Sequence, residues 1–208
     1  MKVFRLGLSL SSMQKYGAWK PSDESNLEAW YKYQTGITLN GSDVSAWADS
    51  SSNSFNMVQA TASEQPAYNS GAIQFTAADT HNLGTASDIT LSGAFTVGIK
   101  LNPDVSNVTV IGSNTTVNEF FKISTSSTLR FKTDGSQVDI TLDSGSFVGD
   151  NYLVVTRNSS NLITLYKNGV AQADTETLAR TADINAIQIY DTESAALTAN
   201  VNTYLSNL

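Results

Sequence analysis

Alternating apolar and polar residues predict a chain built mainly of β-strands. Residues 94–101 give the clearest pattern, because Phe95, Val97, Ile99 and Leu101 share one face that a core can bury. In residues 27–33 the side chains of Leu27, Ala29, Tyr31 and Tyr33 are likewise predicted to share a face. Further strands are predicted at 71–76 (Ile73 and Phe75 on one face), 119–124 (Phe121 and Ile123 on one face), 151–156, 162–170 and 184–190.

One hairpin can be assigned with its register. The Asp-Gly pair at 134–135 favours a two-residue type I′ turn, whose positive φ angles these residues tolerate. That turn places Phe131 opposite Val138 on one face and Arg130 opposite Asp139 on the neighbouring face. The second pair is an expected surface ion pair.

The C-terminus carries the one clear helical pattern. Thr192 or Thr198 is the candidate N-cap, so the start is uncertain by about one turn. Since no other segment has helical periodicity, the predicted fold class is all-β. The residues predicted on the buried helix face are Leu197, Val201, Tyr204, Leu205 and Leu208.

Composition fits one large β-domain, alone or with an appendage. The 208 residues contain no cysteine, which excludes disulfides and thiolate metal sites, and the net charge of −7 argues against nucleic-acid binding. We expect a soluble protein without membrane insertion, because no apolar run approaches the ~20 residues of a membrane span. Arg5 interrupts the apolar N-terminal run, so we predict no signal peptide.

Charge and turn residues divide the chain into an N-terminal arm, residues 1–25, and a body, residues 26–208. Residues 1–20 contain four basic and no acidic side chains, whereas the other 188 contain eight basic and nineteen acidic ones. The asymmetry favours an anchoring arm that docks on a partner, and incidental lysines in a fraying terminus are the alternative. Trp19 either seals the arm against the body or inserts into a neighbour. The candidate docking residues are Phe4, Arg5, Leu6, Leu8, Leu10, Lys15, Trp19 and Lys20.

Several motifs of the body, in order, resemble those of concanavalin A-like, laminin-G-like jelly-roll domains. The resemblance covers residues 27–208 and implies an antiparallel jelly-roll β-sandwich that ends in a hairpin, a last strand and a short helix. By this resemblance, the closing hairpin marks the fold rather than the function. The motifs are LEAWYK at 27–32, VSAWADSS at 44–51, QP at 65–66 with AIQF at 72–75, FTVGI at 95–99, YLVVT at 152–156 and LYKNG at 165–169.

The arm has its own resemblance. The segments RLGLSL at 5–10 and WKPSD at 19–23, followed by the first strand, are similar to the start of tailed-bacteriophage structural proteins. This resemblance implies a non-enzymatic virion protein, such as a capsid decoration, neck or tail-associated module. Its arm would bind other virion proteins, and many copies would assemble as a homo-oligomer. The alternative is a carbohydrate-binding module for a host or surface polysaccharide.

Catalytic motifs are missing from the sequence. Glycanases of this fold family carry a Glu-x-Asp-x-x-Glu strand, and none of the six glutamates falls in that pattern. His81 has neither a cysteine nor a nucleophile motif nearby and is expected to be a surface residue. We therefore predict no catalytic residues and no enzyme activity.

Two kinds of binding residue remain as candidates. Tyr33 and Tyr68 are possible sugar platforms, whereas Trp30 and Trp47 fit packing positions of the resembled family. No cofactor is expected apart from a possible calcium ion, and no dense D-x-D-x-D loop is present. The candidate calcium ligands, all in predicted loops, are Asp43, Asp49, Asp79 and Asp88.

Overall fold

The computed structural model describes residues 19–32, 34–69, 72–76, 81–104, 106, 108–112, 120–133, 135–180, 182–184, 189–190 and 195–207. These residues form short 3₁₀ turns at Pro21–Asp23 and Ala62–Glu64, a helix α1 at Ala195–Ser206, and β-strands. The strands are β1 (Leu27–Ala29), β2 (Ile37–Asn40), β3 (Asp43–Trp47), β4 (Met57–Val58), β5 (Ala67–Asn69), β6 (Ala72–Gln74), β7 (Gly84–Thr85), β8 (Ile89–Leu91), β9 (Phe95–Leu101), β10 (Val108–Ile111), β11 (Phe121–Thr125), β12 (Thr128–Thr133), β13 (Ser136–Thr141), β14 (Asn151–Arg157), β15 (Leu162–Lys167), β16 (Val170–Thr177), β17 (Ala182–Ile184) and β18 (Ile189–Tyr190).

Antiparallel sheets pack face to face as a sandwich, which confirms the predicted fold class. The first sheet has the strand order β1-β18-β9-β14-β15-β16, and the second has the order β10-β11-β12-β13. Strands β2 to β7 form a further sheet, and β8 pairs with β17. Most buried apolar side chains belong to one core cluster, which includes residues of β9, β14 and the second sheet.

Strands β9 and β14 are the centre of the first sheet. They pair without a break from Phe95 opposite Arg157 to Leu101 opposite Asn151. Val97 and Ile99 are almost completely buried in the core, as the alternation of this segment predicted. The two strands therefore set the register from which the other first-sheet strands are placed.

Phenylalanines fill the space next to the second sheet. The rings of Phe121 and Phe131 meet edge to face at 4.9 Å, and Phe120 contacts both Phe121 and Phe95. Phe121 and Ile123 are fully buried on one face of β11, which confirms the pattern predicted for this segment. Such ring pairs add about 0.5–1.5 kcal/mol each beyond the area they bury.

The β12–β13 hairpin has the predicted register. Phe131 lies opposite Val138 and Arg130 opposite Asp139. Arg130 Nε and Nη2 donate to the two carboxylate oxygens of Asp139 at 2.8 and 2.9 Å. These hydrogen bonds are the main reason that the pKa of Asp139 lies below its ordinary value. Both side chains are about one-third exposed, so the pair contributes little to stability.

Side chains connect the edge strands of the two sheets. The Asp143 carboxylate accepts the Ala173 N–H at 3.0 Å, and the Asp174 carboxylate accepts the Thr141 N–H at 2.7 Å. Gln172 Oε1 accepts the Asp143 N–H at 3.0 Å. Backbone N–H groups of β13, of β16 and of Asp143, two residues after β13, are thereby satisfied by side chains, which link the two edge strands on this side of the sandwich.

Two strand predictions need correction. The register of β1 shifts between Leu27 and Ala29, so Leu27 packs in the cluster beside α1 while Ala29 and Tyr31 enter the main core. Tyr33 lies outside the described residues. Within the segment predicted as one strand at 184–190, Ile184 is the last residue of β17, which pairs with β8, whereas residues 189–190 form β18, which pairs with β1 and β9.

Helix α1 packs on the face of the first sheet that points away from the main core. Val201 and Leu205 are buried against Val154 of β14, together with Leu27 and Trp30, and we call these five residues the helix-side cluster. The helix begins at Ala195, so Thr198 lies inside it and is not the N-cap; Thr192 lies outside the described residues. No helix in the described part of the chain is long and apolar enough to cross a membrane.

A buried arginine connects the central strand β14 to two other parts of the chain, residues 91–93 and residue 180. Arg157 at the end of β14 is 1% exposed, and its guanidinium lies 4.7 Å from the Phe95 ring centre. It donates to the carbonyl oxygens of Leu91, Gly93 and Arg180. Burial lowers the pKa of Arg157 from its ordinary value. Since its partners are carbonyls, the side chain ties the loops around residues 91–93 and 180 to the central strand.

Replacing Arg157 by methionine should lower the free energy of unfolding by about 3 kcal/mol or more, because buried carbonyls lose their donors. Arg130→Met is the matched control, with an expected loss of at most about 1 kcal/mol for an exposed pair. Urea unfolding followed by circular dichroism measures both. An equal or smaller loss for the Arg157 variant would contradict this role.

Candidate ligand-binding pocket

The strand register brings three side chains from distant parts of the chain into one row. Tyr152 of β14 lies opposite Lys100 of β9. On its other side, Tyr152 exchanges hydrogen bonds with Asn168, whose N–H donates to the Tyr152 carbonyl at 2.9 Å and whose Oδ1 accepts the Tyr152 N–H at 2.9 Å. Side chains alternate between faces of a strand, so Tyr152 and Lys100 share a face with Val154, under α1.

Helix α1 covers the neighbouring part of this sheet face, and Tyr152 is the member of the row that packs against the helix-side cluster. Val154 is fully buried beneath Val201 and Leu205, and Thr96 and Thr156, two residues further along, are also buried. The helix ends at Ser206. Lys100 and Asn168, by contrast, are exposed and Tyr152 is half-buried.

A pocket of about 220 Å³ lies at this open row. Its volume is below the roughly 300–1,000 Å³ of pockets that enclose drug-sized ligands. Every lining side chain carries a hydrogen-bonding group, and Tyr152 adds aromatic surface. The lining residues are Lys100, Asp150, Asn151, Tyr152, Asn168 and Ser206.

The two asparagines build the frame of the pocket. Asn151 Nδ2 donates to the carbonyls of Phe147 and Gly149, both at 2.8 Å, and Asn168 Nδ2 donates to Asn151 Oδ1 at 3.3 Å. Asn168 has a φ of +50° and Gly169 one of +82°, as a type I′ turn requires. A Cβ at residue 169 would also lie only 3.1 Å from the Tyr152 hydroxyl, so glycine avoids a close contact with that group.

Three polar groups of the pocket remain available to a ligand. Within the described part of the chain, the Lys100 ammonium, the Asp150 carboxylate and the Tyr152 hydroxyl have no hydrogen-bond or ion-pair partner. The side-chain amides of the two asparagines, by contrast, already form hydrogen bonds within the protein. Donor, acceptor and ring surface therefore converge on a space that the fold leaves unfilled.

The predicted sugar platforms lie elsewhere. Tyr68 of β5 is half-buried opposite Ile73, and Phe75, just after β6, is 55% exposed. Tyr68 is not part of the pocket wall, and Tyr33 lies outside the described residues. The assignment of both tyrosines to glycan binding stays a prediction.

The candidate calcium ligands are not brought together. Among the described residues, no group of three or more acidic or histidine side chains could hold a metal ion. Asp43 is in β3, Asp88 is exposed before β8, and Asp79 lies outside the described residues. Calcium binding by these residues stays a prediction.

Asp49 has a structural role that its sequence position did not reveal. Its Oδ1 accepts the N–H groups of Trp30 and Ser51, both at 2.8 Å, and its Oδ2 accepts the Ser51 hydroxyl at 2.6 Å and the Phe55 N–H at 3.0 Å. The carboxylate thus holds the loop at 49–55 against the first strand. All four donors are protein groups, which occupies the oxygens that a metal would need.

Of the predicted docking residues, two are described. Trp19 packs edge to face on Tyr204 of α1, with ring centres 6.1 Å apart, and its Nε1 donates to Glu24 at 2.9 Å. Trp19 therefore contacts the body, and its role in docking stays a prediction. Lys20 is exposed. The others lie outside the described residues: Phe4, Arg5, Leu6, Leu8, Leu10 and Lys15.

Comparison with known proteins gives the fold. No family model and no curated protein matches the chain. Among solved structures, it is similar to the binding domain of botulinum neurotoxin serotype C1, with a TM-score of 0.53 and 14% identity over 90% of this chain. A point mutant of HCR D/C VPI 5995 aligns with a TM-score of 0.50 and 14% identity over 90% of this chain. The chain spans 53% of the length of each, about half.

Replacing Asp49 by asparagine should lower the free energy of unfolding by about 2 kcal/mol, because a charged acceptor of several hydrogen bonds is lost. The effect should be the same in calcium and in EDTA. Asp88→Asn, at an exposed site, is the control and should change stability by no more than about 0.5 kcal/mol. Stabilisation by calcium that disappears in the Asp49 variant would contradict the structural role.

Proposed function

We propose that this chain is a non-enzymatic carbohydrate-binding β-sandwich that holds one sugar ring in the pocket beyond the end of α1. The observation that carries the proposal is the convergence of the unpartnered Lys100, Asp150 and Tyr152 groups on a pocket of about 220 Å³. A sugar presents hydroxyls that both donate and accept hydrogen bonds, together with a C–H face that packs on an aromatic ring. These features complement the polar lining and the tyrosine.

The composition of the pocket favours binding over catalysis. Glycoside hydrolysis generally requires two carboxyl groups on either side of the scissile bond, about 5–10 Å apart. Asp150 is the single acidic side chain that lines the pocket. We therefore propose that bound sugar is retained without cleavage.

The structural comparison is compatible with this proposal. The serotype C1 protein is named as a binding domain. This chain shares the fold of that protein over about half of that protein's length. A β-sandwich is used for many functions, so the pocket rather than the fold supports carbohydrate binding.

A second proposed function concerns the arm. The four basic and no acidic side chains of residues 1–20 support attachment of the chain to an acidic partner, which we propose to be a virion scaffold of a tailed bacteriophage. The sandwich would then be a decoration, neck or tail-associated module present in many copies. The two functions are compatible, since a particle-bound sandwich can hold a surface polysaccharide.

Filling the pocket should abolish sugar binding without unfolding the protein. Ser206→Tyr at the exposed helix end should weaken glycan binding by at least about tenfold, or about 1.4 kcal/mol. Asn207→Tyr is the matched control, because residue 207 is equally exposed but does not line the pocket. Glycan-array binding of both variants, with melting temperatures as a folding check, measures the effect.

Retained binding in the Ser206 variant, or equal loss in both variants, would contradict the assigned pocket. Tyr68→Ala in the same assay tests the alternative platform. A selective loss in that variant would move the site to β5 and β6.

Deletion of residues 2–18 tests the arm. Because Trp19 contacts Tyr204, this deletion spares the first described contact with the body and should leave β-rich circular dichroism unchanged. We expect the truncated protein to be absent from particles purified from the producing host, as measured by mass spectrometry. Unchanged incorporation would contradict attachment by the arm.

A further inference from the structure

The pocket contains two opposite charges that do not neutralise each other. Lys100 and Asp150 both line it, and within the described residues neither forms an ion pair or a hydrogen bond. Both are exposed. The pocket therefore presents a separate cationic donor and anionic acceptor rather than a patch of one sign.

Both charges are attached to backbone that is paired or hydrogen-bonded. Lys100 lies in β9, directly opposite Tyr152. Asp150 immediately precedes Asn151, whose amide is fixed to the Phe147 and Gly149 carbonyls, and the Gly149 N–H donates to the Pro103 carbonyl at 2.8 Å. Fixed supports of this kind favour selective recognition, because little backbone rearrangement is needed when a ligand binds.

The charge arrangement distinguishes between classes of sugar. A carboxylate on the ligand would be attracted by Lys100 but repelled by Asp150 and by the net charge of −7 of the chain. A neutral hydroxyl has no such conflict, because its oxygen accepts from an ammonium and its hydrogen donates to a carboxylate. Two adjacent hydroxyls satisfy both side chains at once.

We propose that the pocket selects a neutral sugar ring with adjacent hydroxyls and discriminates against acidic sugars. One hydroxyl donates to Asp150, its neighbour accepts from Lys100, and the C–H face of the ring packs on Tyr152. This inference rests on the proposed carbohydrate-binding function and specifies its ligand class.

Titration of the full-length, ¹⁵N-labelled chain with monosaccharides tests the selection. The neutral probes are the methyl glycosides of glucose, galactose and mannose, and the acidic probes are glucuronic, galacturonic and N-acetylneuraminic acid. At least one neutral probe should bind and shift the side-chain amide signals of Asn151 and Asn168. Its uronic acid counterpart should bind about fivefold more weakly, the factor for one lost hydrogen bond of about 1 kcal/mol, because a carboxylate cannot donate to Asp150 and its attraction to Lys100 is offset by repulsion from Asp150.

Charge-removing variants test each contact separately. Lys100→Gln and Asp150→Asn should each raise the Kd for the neutral probe about fivefold, corresponding to one lost hydrogen bond of about 1 kcal/mol. Lys132→Gln and Asp104→Asn remove the same charges outside the pocket and should leave the Kd unchanged.

The outcomes separate this inference from the proposed function. Tighter binding of an acidic probe, lost in Lys100→Gln and strengthened in Asp150→Asn, would overturn the neutral-sugar inference while the carbohydrate-binding function stands. Binding of a neutral probe with an unchanged Kd in both variants would also overturn it. If neither these probes nor an array of larger glycans binds, the proposed function itself fails.

Discussion

The burial of both faces of the central strands β9 and β14 is the constraint on which the rest of the structure depends. One face of the pair packs in the main core, and the other is covered by α1 through the helix-side cluster. Val154 and Val155 are adjacent residues that point to opposite faces, and both are fully buried. A strand with two buried faces requires near-continuous apolar sequence, which residues 153–155 supply.

The candidate pocket lies where helix α1, which covers this face of the first sheet, comes to its end. Helix α1 ends at Ser206, which lines the pocket, and Tyr152 packs against the helix-side cluster. The other two side chains of the row, Lys100 and Asn168, are placed by hydrogen-bonded backbone and are exposed to solvent. Trp19 packs on Tyr204 of the same helix, so the described chain begins close to the element that borders the pocket.

Local patterns predicted those parts of the fold that depend on neighbouring residues. The Asp-Gly turn was sufficient to assign the Arg130–Asp139 pairing, and strict alternation was sufficient for the buried face of β9. The shift in β1 and the division of 184–190 between β17 and β18 depend on pairing with strands far away in sequence. The sequence of these segments does not show which distant strand each one pairs with, because the same apolar pattern fits more than one pairing register.

The pocket was missed for the same physical reason. Lys100 and Tyr152 are 52 positions apart, and only the long β9–β14 register makes them neighbours. The resemblance predicts that the closing hairpin marks the fold alone, yet its Asn168 lines the pocket. The aromatic side chains that the sequence offers as sugar platforms are Tyr33 and Tyr68, and neither is among the residues that line the pocket. The sequence does contain one signal for the pocket. Lys100 and Tyr152 are polar residues in β9 and β14, two strands whose other positions are mostly buried.

Sugar binding at the row beyond α1 can be observed in a crystal structure of the protein soaked in a neutral methyl glycoside. We expect one sugar ring against Tyr152, with hydroxyls within hydrogen-bond distance of Lys100 Nζ and the Asp150 carboxylate. A sugar bound at the Tyr68 and Phe75 surface, with the row beyond α1 left empty, would contradict it.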